Sequence, residues 1–233
     1  ESLLEVENTF IKFQNISGLK VNYDKTEILR ICSVRGSDAK LITARQMCWT
    51  NDPITLLGVQ LSTSMEDTVR TNFENLKTKV SSLIQIWNRQ YLSVFGKTTI
   101  LKTMLMSQLV YKLSVLPTPP KNWFAEIQKL FSNFFWHGRR PKIRKAVLFA
   151  DKKNGGLKLP NVEFKNIALK AGWVQRLNRT GNNFTLHNFL FDNELFWKCN
   201  FESKDCPEVF SKINLKFTFW QDVVTAWSKT NFS

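Results

Sequence analysis

The densest group of side chains able to do chemistry is a short run of cations in the middle of the chain, which we call the basic strip. It consists of Arg139, Arg140, Lys142, Arg144 and Lys145. Pro141 favours an extended backbone between these cations, and Trp136 and His137 come just before them. Cationic side chains bind phosphate oxygens and aromatic rings stack on bases, so one loop can make both kinds of contact with a nucleic acid. A solvated surface loop explains the same residues, and both interpretations stay open on this cluster alone.

Further cations lie on both sides of the basic strip. The lysines that follow it are Lys152, Lys153 and Lys158. On an expected helix before it, Lys97 and Lys102 have no acidic residue within four positions, so we predict that both can meet a phosphate backbone. Arg70 and Lys77 are instead predicted to form surface ion pairs with Glu66 and Glu74, which lie one helical turn before them.

No set of residues predicts catalysis or a metal site. Two-metal phosphoryl transfer needs carboxylates that bridge the ions. The acidic pair Glu66-Asp67 is explained by helix capping, and Asp24 and Glu27 lack a third carboxylate. Two histidines without a nucleophile-elbow pattern argue against a Ser or Cys triad, and a lone glycine pair is not a phosphate-binding loop. We therefore predict no catalytic residue and no metal ligand.

The four cysteines indicate a reducing compartment. They are Cys32, Cys48, Cys199 and Cys206. They form no CxxC pair, and their spacing is not that of a disulfide framework. A zinc site would need ligands from distant segments, so structural thiols are favoured. We expect an intracellular protein, with nucleus and cytoplasm both open.

Hydrophobic periodicity predicts a strand-containing start and a helical remainder, divided near Ser62. A helix is expected over residues 2–16, and short strands are expected at Lys20–Asn22 and Glu27–Ile31. Ile54–Leu61, which follows a proline, is predicted to be one further strand.

Beyond residue 62 the pattern is helical. An apolar stripe over residues 69–87 predicts one long helix. Ser93 is expected to cap a second helix and Thr118 a third, while Asn161 starts a fourth and a last helix lies near Trp220–Trp227. The third helix carries an aromatic stripe, which is more typical of a buried core than of a base-stacking surface.

The net charge of +14 is concentrated in one part of the chain. Residues 61–160 carry 17 basic and 5 acidic side chains, whereas residues 1–60 are balanced at 7 each and residues 161–233 carry 9 and 7. A concentrated basic surface favours polyanions because it releases their condensed counterions, and nucleic acid is the commonest such partner. A basic protein with no specific partner stays open. The longest uncharged stretch has 13 residues, too few to span a bilayer, and no membrane is predicted.

Six segments share their order and spacing with one known family. They are Phe10–Leu29, Ile54–Leu61, Trp87–Leu116, Phe131–Trp136, Gly155–Pro160 and Phe219–Val223. The first contains SGLKVNYDKTEIL, the second a Leu-Gly pair, and the last reads FWQDV. Together they resemble LINE-type (non-LTR) retrotransposon reverse transcriptases, from just after the catalytic Asp-Asp hairpin through the thumb and beyond. The resemblance covers nearly the whole chain.

The resemblance implies roles for a few residues. Lys25 stands beside the nucleotide site, where a lysine assists the departure of pyrophosphate. Leu57, Gly58 and Val59 stand where the primer terminus is gripped, and at Gly58 a nucleic-acid strand can approach the backbone closely because no Cβ intervenes. The family's catalytic aspartates lie upstream of the match, with the fingers and most of the palm. We therefore expect a fragment in which Mg²⁺ has no site and which needs no cofactor of its own.

These observations predict an α+β, mostly α-helical fold with three regions. Residues 1–62 are expected to end a reverse transcriptase palm, residues 63–137 to form a thumb-like helical region, and residues 138–233 a basic, aromatic-rich post-thumb region. The expected activity is the holding of template–primer RNA and DNA by backbone contacts without sequence specificity, and without polymerisation. The alternative is a captured helical protein–protein interaction or scaffold domain whose basic charge is incidental. The oligomeric state is not predicted.

Overall fold

The computed structural model describes residues 3–29, 48–50, 53–179 and 218–231. The described chain is mainly helical with a few short strands, which confirms the predicted mostly α-helical α+β fold. It divides into two compact units, residues 1–72 and residues 73–233. Among the described residues, no helix is both long enough and apolar enough to cross a bilayer.

The first unit begins with a helix and a parallel strand pair. Helix α1 spans Leu3–Ser17 and ends at Gly18, whose φ of 73° is the left-handed conformation that glycine adopts easily. Strand β1, Glu27–Leu29, pairs in parallel with β2, Cys48–Thr50. The strand predicted at residues 20–22 is wrong. Asn22 instead accepts the backbone N–H of Lys25 and caps a one-turn 3₁₀ helix.

The segment predicted as one strand at Ile54–Leu61 is a β-hairpin, and that prediction is also wrong. Strands β3, Ile54–Leu56, and β4, Val59–Leu61, are antiparallel, with Leu57 and Gly58 forming the turn. Both turn residues have positive φ, 50° and 80°, as tight hairpin turns require. A Cβ on Gly58 would meet no atom of the described residues within 4 Å, so the glycine serves the turn conformation and not a close approach to them.

Helix α2, Met65–Asn88, is the long helix that the apolar stripe predicts. Within the first unit, the side chain of Asn72 bonds both backbone groups of Gln60, accepting its N–H at 3.1 Å and donating to its carbonyl at 2.7 Å. Thr68 accepts the backbone N–H of Ser62 at 2.9 Å. These buried polar contacts attach the hairpin to the first turns of the helix.

The second unit is helical. Its remaining helices are α3 (Val94–Ile100), α4 (Met106–Val115), α5 (Lys121–Trp136), α6 (Lys145–Phe149), α7 (Val162–Arg179) and α8 (Thr218–Asn231). A π-helical turn, Leu101–Leu105, joins α3 to α4. Ser93 and Asn161 accept backbone N–H groups at the starts of α3 and α7, which confirms both predicted caps.

The predicted cap at Thr118 is wrong. Helix α5 begins one residue after Pro120, and no side chain caps it. Thr118 lies in the preceding proline-rich turn, where its backbone N–H donates to the Asp222 carboxylate at 2.7 Å. An aspartate 104 positions away thus takes the hydrogen bond, and no local pattern reveals such a partner.

The core of the second unit is aromatic, as the stripe on the third predicted helix indicates. Phe73 meets Trp123 edge-on with ring centroids 5.0 Å apart, and the Trp123 indole N–H donates to the Phe73 carbonyl. The aromatic residues of α5 that are buried are Trp123, Phe124, Phe131, Phe134 and Phe135. Each such side chain contributes roughly 1.5–3 kcal/mol of burial free energy. Helix α7 packs against α8 and also against α4 and α5.

Candidate nucleic-acid interface

The basic strip follows the C-terminus of α5. Trp136 ends the helix, and His137 and Gly138 then take left-handed conformations with φ of 52° and 70°. The Gly138 N–H reaches back to the Asn133 carbonyl at 2.9 Å, which closes the helix in a Schellman-type turn. The chain therefore leaves the buried aromatic helix sharply, and the strip starts in solvent at Arg139.

All five cations of the strip are exposed. Four lie in the irregular segment between α5 and α6, and Lys145 is the first residue of α6. Within the part of the chain that the structure describes, none of the five makes an ion pair. No carboxylate among the described residues therefore neutralises their charge, which is available to attract an anionic ligand.

Other surface cations are paired. Arg70 bonds Asp67 on its own helix, and Lys77 of α2 bonds Glu126 of α5. Ion pairs at Arg70 and Lys77 are confirmed, but both predicted partners are wrong, because Asp67 takes the place of Glu66 and Glu126 that of Glu74. Lys158 lies 2.9 Å from Asp151, so it is a weaker candidate for phosphate than the strip.

The structure corrects the prediction for Lys97. Its side chain is buried, with 4% exposed, and its ammonium donates to the Phe135 carbonyl at 3.0 Å. Burial, with Arg139 nearby, lowers the pKa of Lys97. This lysine satisfies a carbonyl in the last turn of α5 and holds the base of the strip, so it is a positioning residue and not a phosphate ligand.

Lys102 also bonds a backbone carbonyl, but it is less buried than Lys97, so its contact with phosphate stays a prediction. It lies half-buried on the π-helical turn, and its ammonium donates to the Leu157 carbonyl at 2.9 Å. Burial lowers the pKa of Lys102, and the positive charges of Lys152 and Lys158 lower it further. Lys97 on α3 therefore holds the chain just before the strip, and Lys102 on the following π-helical turn holds the chain after it.

The segment after the strip folds back on itself. Backbone N–H groups of Lys158 and Leu159 donate to the carbonyls of Ala150 and Leu148, each at 2.9 Å. A Cβ on Gly156 would lie 2.0 Å from the Ala150 carbonyl oxygen, so only glycine fits there. Gly155 supplies a left-handed turn with φ of 74°. The glycine pair, which the sequence excludes as a phosphate loop, thus has a structural role that fixes the chain behind the strip.

The residues assigned by resemblance lie in the first unit. Lys25 is exposed in the 3₁₀ turn, and Leu57 is 83% exposed at the tip of the hairpin. Val59 is only 6% exposed, so its side chain belongs to the core of that unit. Only its backbone can contact a nucleic-acid strand. No contact of these residues tests the primer-grip or nucleotide-site roles, which stay predictions.

Sequence reasoning missed Tyr91. This residue is fully exposed in the loop between α2 and α3, where it lines an open cleft together with His137. Trp136, expected to supply a stacking surface, is half-buried and meets Phe135 edge-on at 5.1 Å. An aromatic residue directly after the polar run Asn88-Arg89-Gln90 was the available signal.

Among the described residues, no three His, Cys, Asp or Glu side chains come close enough together to hold a metal ion. No protein-family model matches the sequence.

Proposed function

We propose that this chain is the nucleic-acid-holding part of a LINE-type reverse transcriptase, comprising the last palm strands, the thumb and the post-thumb region. It binds template–primer RNA and DNA by their phosphate backbones and does not itself polymerise. The observation that carries the proposal is the set of five exposed cations from the end of α5 to the first residue of α6, which form no ion pair within the described part of the chain. The order of the six family-like segments supports the identity of the parent enzyme.

Several features of the strip suit phosphate binding. Arginine presents its guanidinium donors in a planar fork that matches two phosphate oxygens, and the strip holds three arginines. Lys97 fixes the chain before the strip at Phe135, and Lys102 fixes the chain after it at Leu157, which lessens the ordering that its cations need when they bind. Contacts of this type position a duplex and carry no sequence information.

The resemblance assigns the catalytic Mg²⁺ ions to carboxylates outside the matched segments. We therefore assign no metal-dependent step to the residues of this chain. The pure chain is expected to incorporate no nucleotides on a primed RNA template with Mg²⁺ or Mn²⁺ present. Measurable DNA synthesis above a no-protein control contradicts the non-catalytic assignment.

Binding to a primed RNA–DNA duplex over a range of salt concentrations tests the proposal. Phosphate-driven affinity falls with salt at a log–log slope of about −0.9 per contacted phosphate in B-DNA. Replacing Arg139, Arg140, Arg144 and Lys145 by glutamine should flatten the slope by up to about 3.6. The matched control replaces four exposed lysines elsewhere, Lys121, Lys129, Lys165 and Lys229, and should leave most of the slope in place. A slope and an affinity that do not respond to the strip substitutions exclude this surface.

One observation favours the alternative, a protein–protein interaction domain. Helix α1 exposes large apolar side chains, among them Phe10, Phe13 and Ile16, with exposures of 48%, 55% and 87%. Contiguous apolar exposure marks a surface that packs against further protein. The same helix also fits the reverse transcriptase proposal, because the resemblance places palm segments beside it. Duplex binding that is weak and independent of salt favours the interaction domain, whereas a steep salt slope favours the reverse transcriptase fragment.

A further inference from the structure

A cleft opens beside the start of the basic strip. Its walls come from the loop between α2 and α3 and from His137, and its volume is about 470 Å³. Binding pockets for small organic groups span roughly 300–1,000 Å³. The cleft is therefore large enough for a planar heterocycle.

The side chain of Tyr91 has no packing role that explains its position. It is fully exposed, whereas a buried aromatic residue stabilises a fold through the apolar area that it removes from water. An exposed ring at the mouth of a cleft offers a flat face on which a base can stack, and such stacking tolerates any base because each has a π-face.

The polar groups around Tyr91 complement a nucleotide. Asn88 and Gln90 carry amides that both donate and accept hydrogen bonds, as the edges of bases do, and Arg89 supplies a cation. His137 also lines the cleft and supplies a second flat ring. None of the described residues that line it is acidic, so none of these side chains repels a phosphate.

The cleft and the strip are continuous through His137. Arg139 is two positions after His137 in the chain, which is at most about 7 Å of extended chain. Successive phosphates of one strand in duplex DNA are spaced by about 3.4 Å along the axis. A nucleic acid held at Arg139 therefore brings the neighbouring nucleotides of the same strand within reach of the cleft.

We propose that the cleft receives one unpaired base of the nucleic acid that the strip holds, with Tyr91 as the stacking surface. A paired base inside a duplex is covered on both faces by its neighbours, so only a base in a single-stranded extension can enter. The substrate is then a duplex with a single-stranded template overhang. This inference rests on the proposed function and adds to it a preference for the junction between double and single strand.

Two matched duplexes test the inference. One is a blunt RNA–DNA duplex, and the other has the same duplex with a single-stranded template extension whose first unpaired base is 2-aminopurine. We expect the wild-type chain to bind the extended duplex about ten-fold more tightly, as stacking of one base on an aromatic ring produces, and to change the 2-aminopurine fluorescence.

Substitutions locate the effect. Tyr91→Ala should abolish the preference and the fluorescence change without altering blunt-duplex affinity, while Tyr91→Phe should keep both because the ring remains. Tyr111→Ala, which removes a partly exposed tyrosine on α4, is the control and should keep the preference.

The outcomes separate the two proposals. Salt-dependent binding of the blunt duplex with no preference for the overhang overturns the cleft assignment alone, as does an unchanged preference in Tyr91→Ala. Failure of both duplexes to bind overturns the proposed function and the cleft assignment together.

Discussion

Lys97 and Arg139 carry the same formal charge in opposite surroundings. The ammonium of Lys97 is buried against the Phe135 carbonyl. Arg139, four positions after Phe135, is exposed. The first cation stabilises the end of a helix, and the second is available to a ligand. Single-residue exchanges separate these two roles.

Lys97→Met should lower the free energy of unfolding by about 1–2 kcal/mol, because the buried Phe135 carbonyl loses its donor. It should leave the salt slope of duplex binding unchanged even where the affinity falls, because Lys97 supports the strip and does not itself contact a phosphate. Arg139→Gln should do the reverse, leaving stability within about 0.5 kcal/mol and reducing the slope by about 0.9. Urea unfolding and binding titrations of both variants check this. A reduced slope in Lys97→Met restores Lys97 as a phosphate ligand.

Lys170 is the most deeply buried cation among the described residues. Its ammonium donates to the Leu116 carbonyl and lies 3.9 Å from the centre of the Phe219 ring. Burial lowers the pKa of Lys170 from 10.5 to about 7, although the nearby Asp222 carboxylate acts to raise it. The lysine therefore couples the packing of α7 against α8 to pH.

The sign of that coupling follows from proton binding. Between pH 7 and 10.5 the unfolded chain keeps the Lys170 proton and the folded chain loses it, so stability rises with pH across this window. From pH 7 to 9 the contribution is about 2 kcal/mol. Unfolding of the wild type and of Lys170→Met at several pH values should show this rise only in the wild type. The same pH dependence in both proteins assigns it to other groups.

At the scale of the elements, two neighbouring glycines in one turn are required for different reasons. Gly155 needs its positive φ but has free space around it, whereas a Cβ on Gly156 meets the backbone of Ala150 and Val147. This turn fixes the chain that follows the basic strip. Substitutions at the two positions therefore test whether nucleic-acid binding by the strip depends on the packing of this turn.

Gly155→Ala should cost about 1 kcal/mol, the penalty of a left-handed alanine, and leave duplex binding intact. Gly156→Ala should cost about 3 kcal/mol or more and weaken binding, because the backbone of α6 must move. Circular dichroism melting and duplex affinity measure both effects. Equal costs for the two variants contradict the packing described around Gly156.

The elements with long periodic patterns could be predicted from sequence, since the aromatic stripe of α5 and the caps at Ser93 and Asn161 are local signals. The hairpin at residues 54–61 could not, because its apolar run lacks the polar turn residues that normally mark one. The carbonyl contacts of Lys97 and Lys102 could not be predicted for a related reason. Their partners are carbonyls 38 and 55 positions away, and acidic neighbours in sequence say nothing about such contacts.

At the scale of the whole molecule, the two compact units differ in the buried contacts that stabilise them. The described strands of residues 1–72 form only two-stranded pairs, and α1 exposes much of its apolar surface. Residues 73–233 contain the buried aromatic core around Phe73 and Trp123. Isolated two-stranded pairs are marginally stable in water.

Hydrogen exchange should therefore show faster opening in residues 1–72 than in the helices of the second unit. Strand amides of β1, β3 and β4 should exchange well before those of α4 and α5. Pepsin-fragment mass spectrometry resolves the two units. Equal hydrogen-exchange protection in both units contradicts the expected difference in their stability.

The central claim is that the exposed strip contacts phosphates, and lysine footprinting tests it most directly. The chain is acetylated briefly with and without a primed RNA–DNA duplex, and each lysine is quantified by mass spectrometry. The account predicts that Lys142 and Lys145 become several-fold less reactive in the complex, while the exposed Lys121 and Lys129 on α5 do not change. Protection of Lys121 and Lys129 with Lys142 and Lys145 still reactive contradicts it.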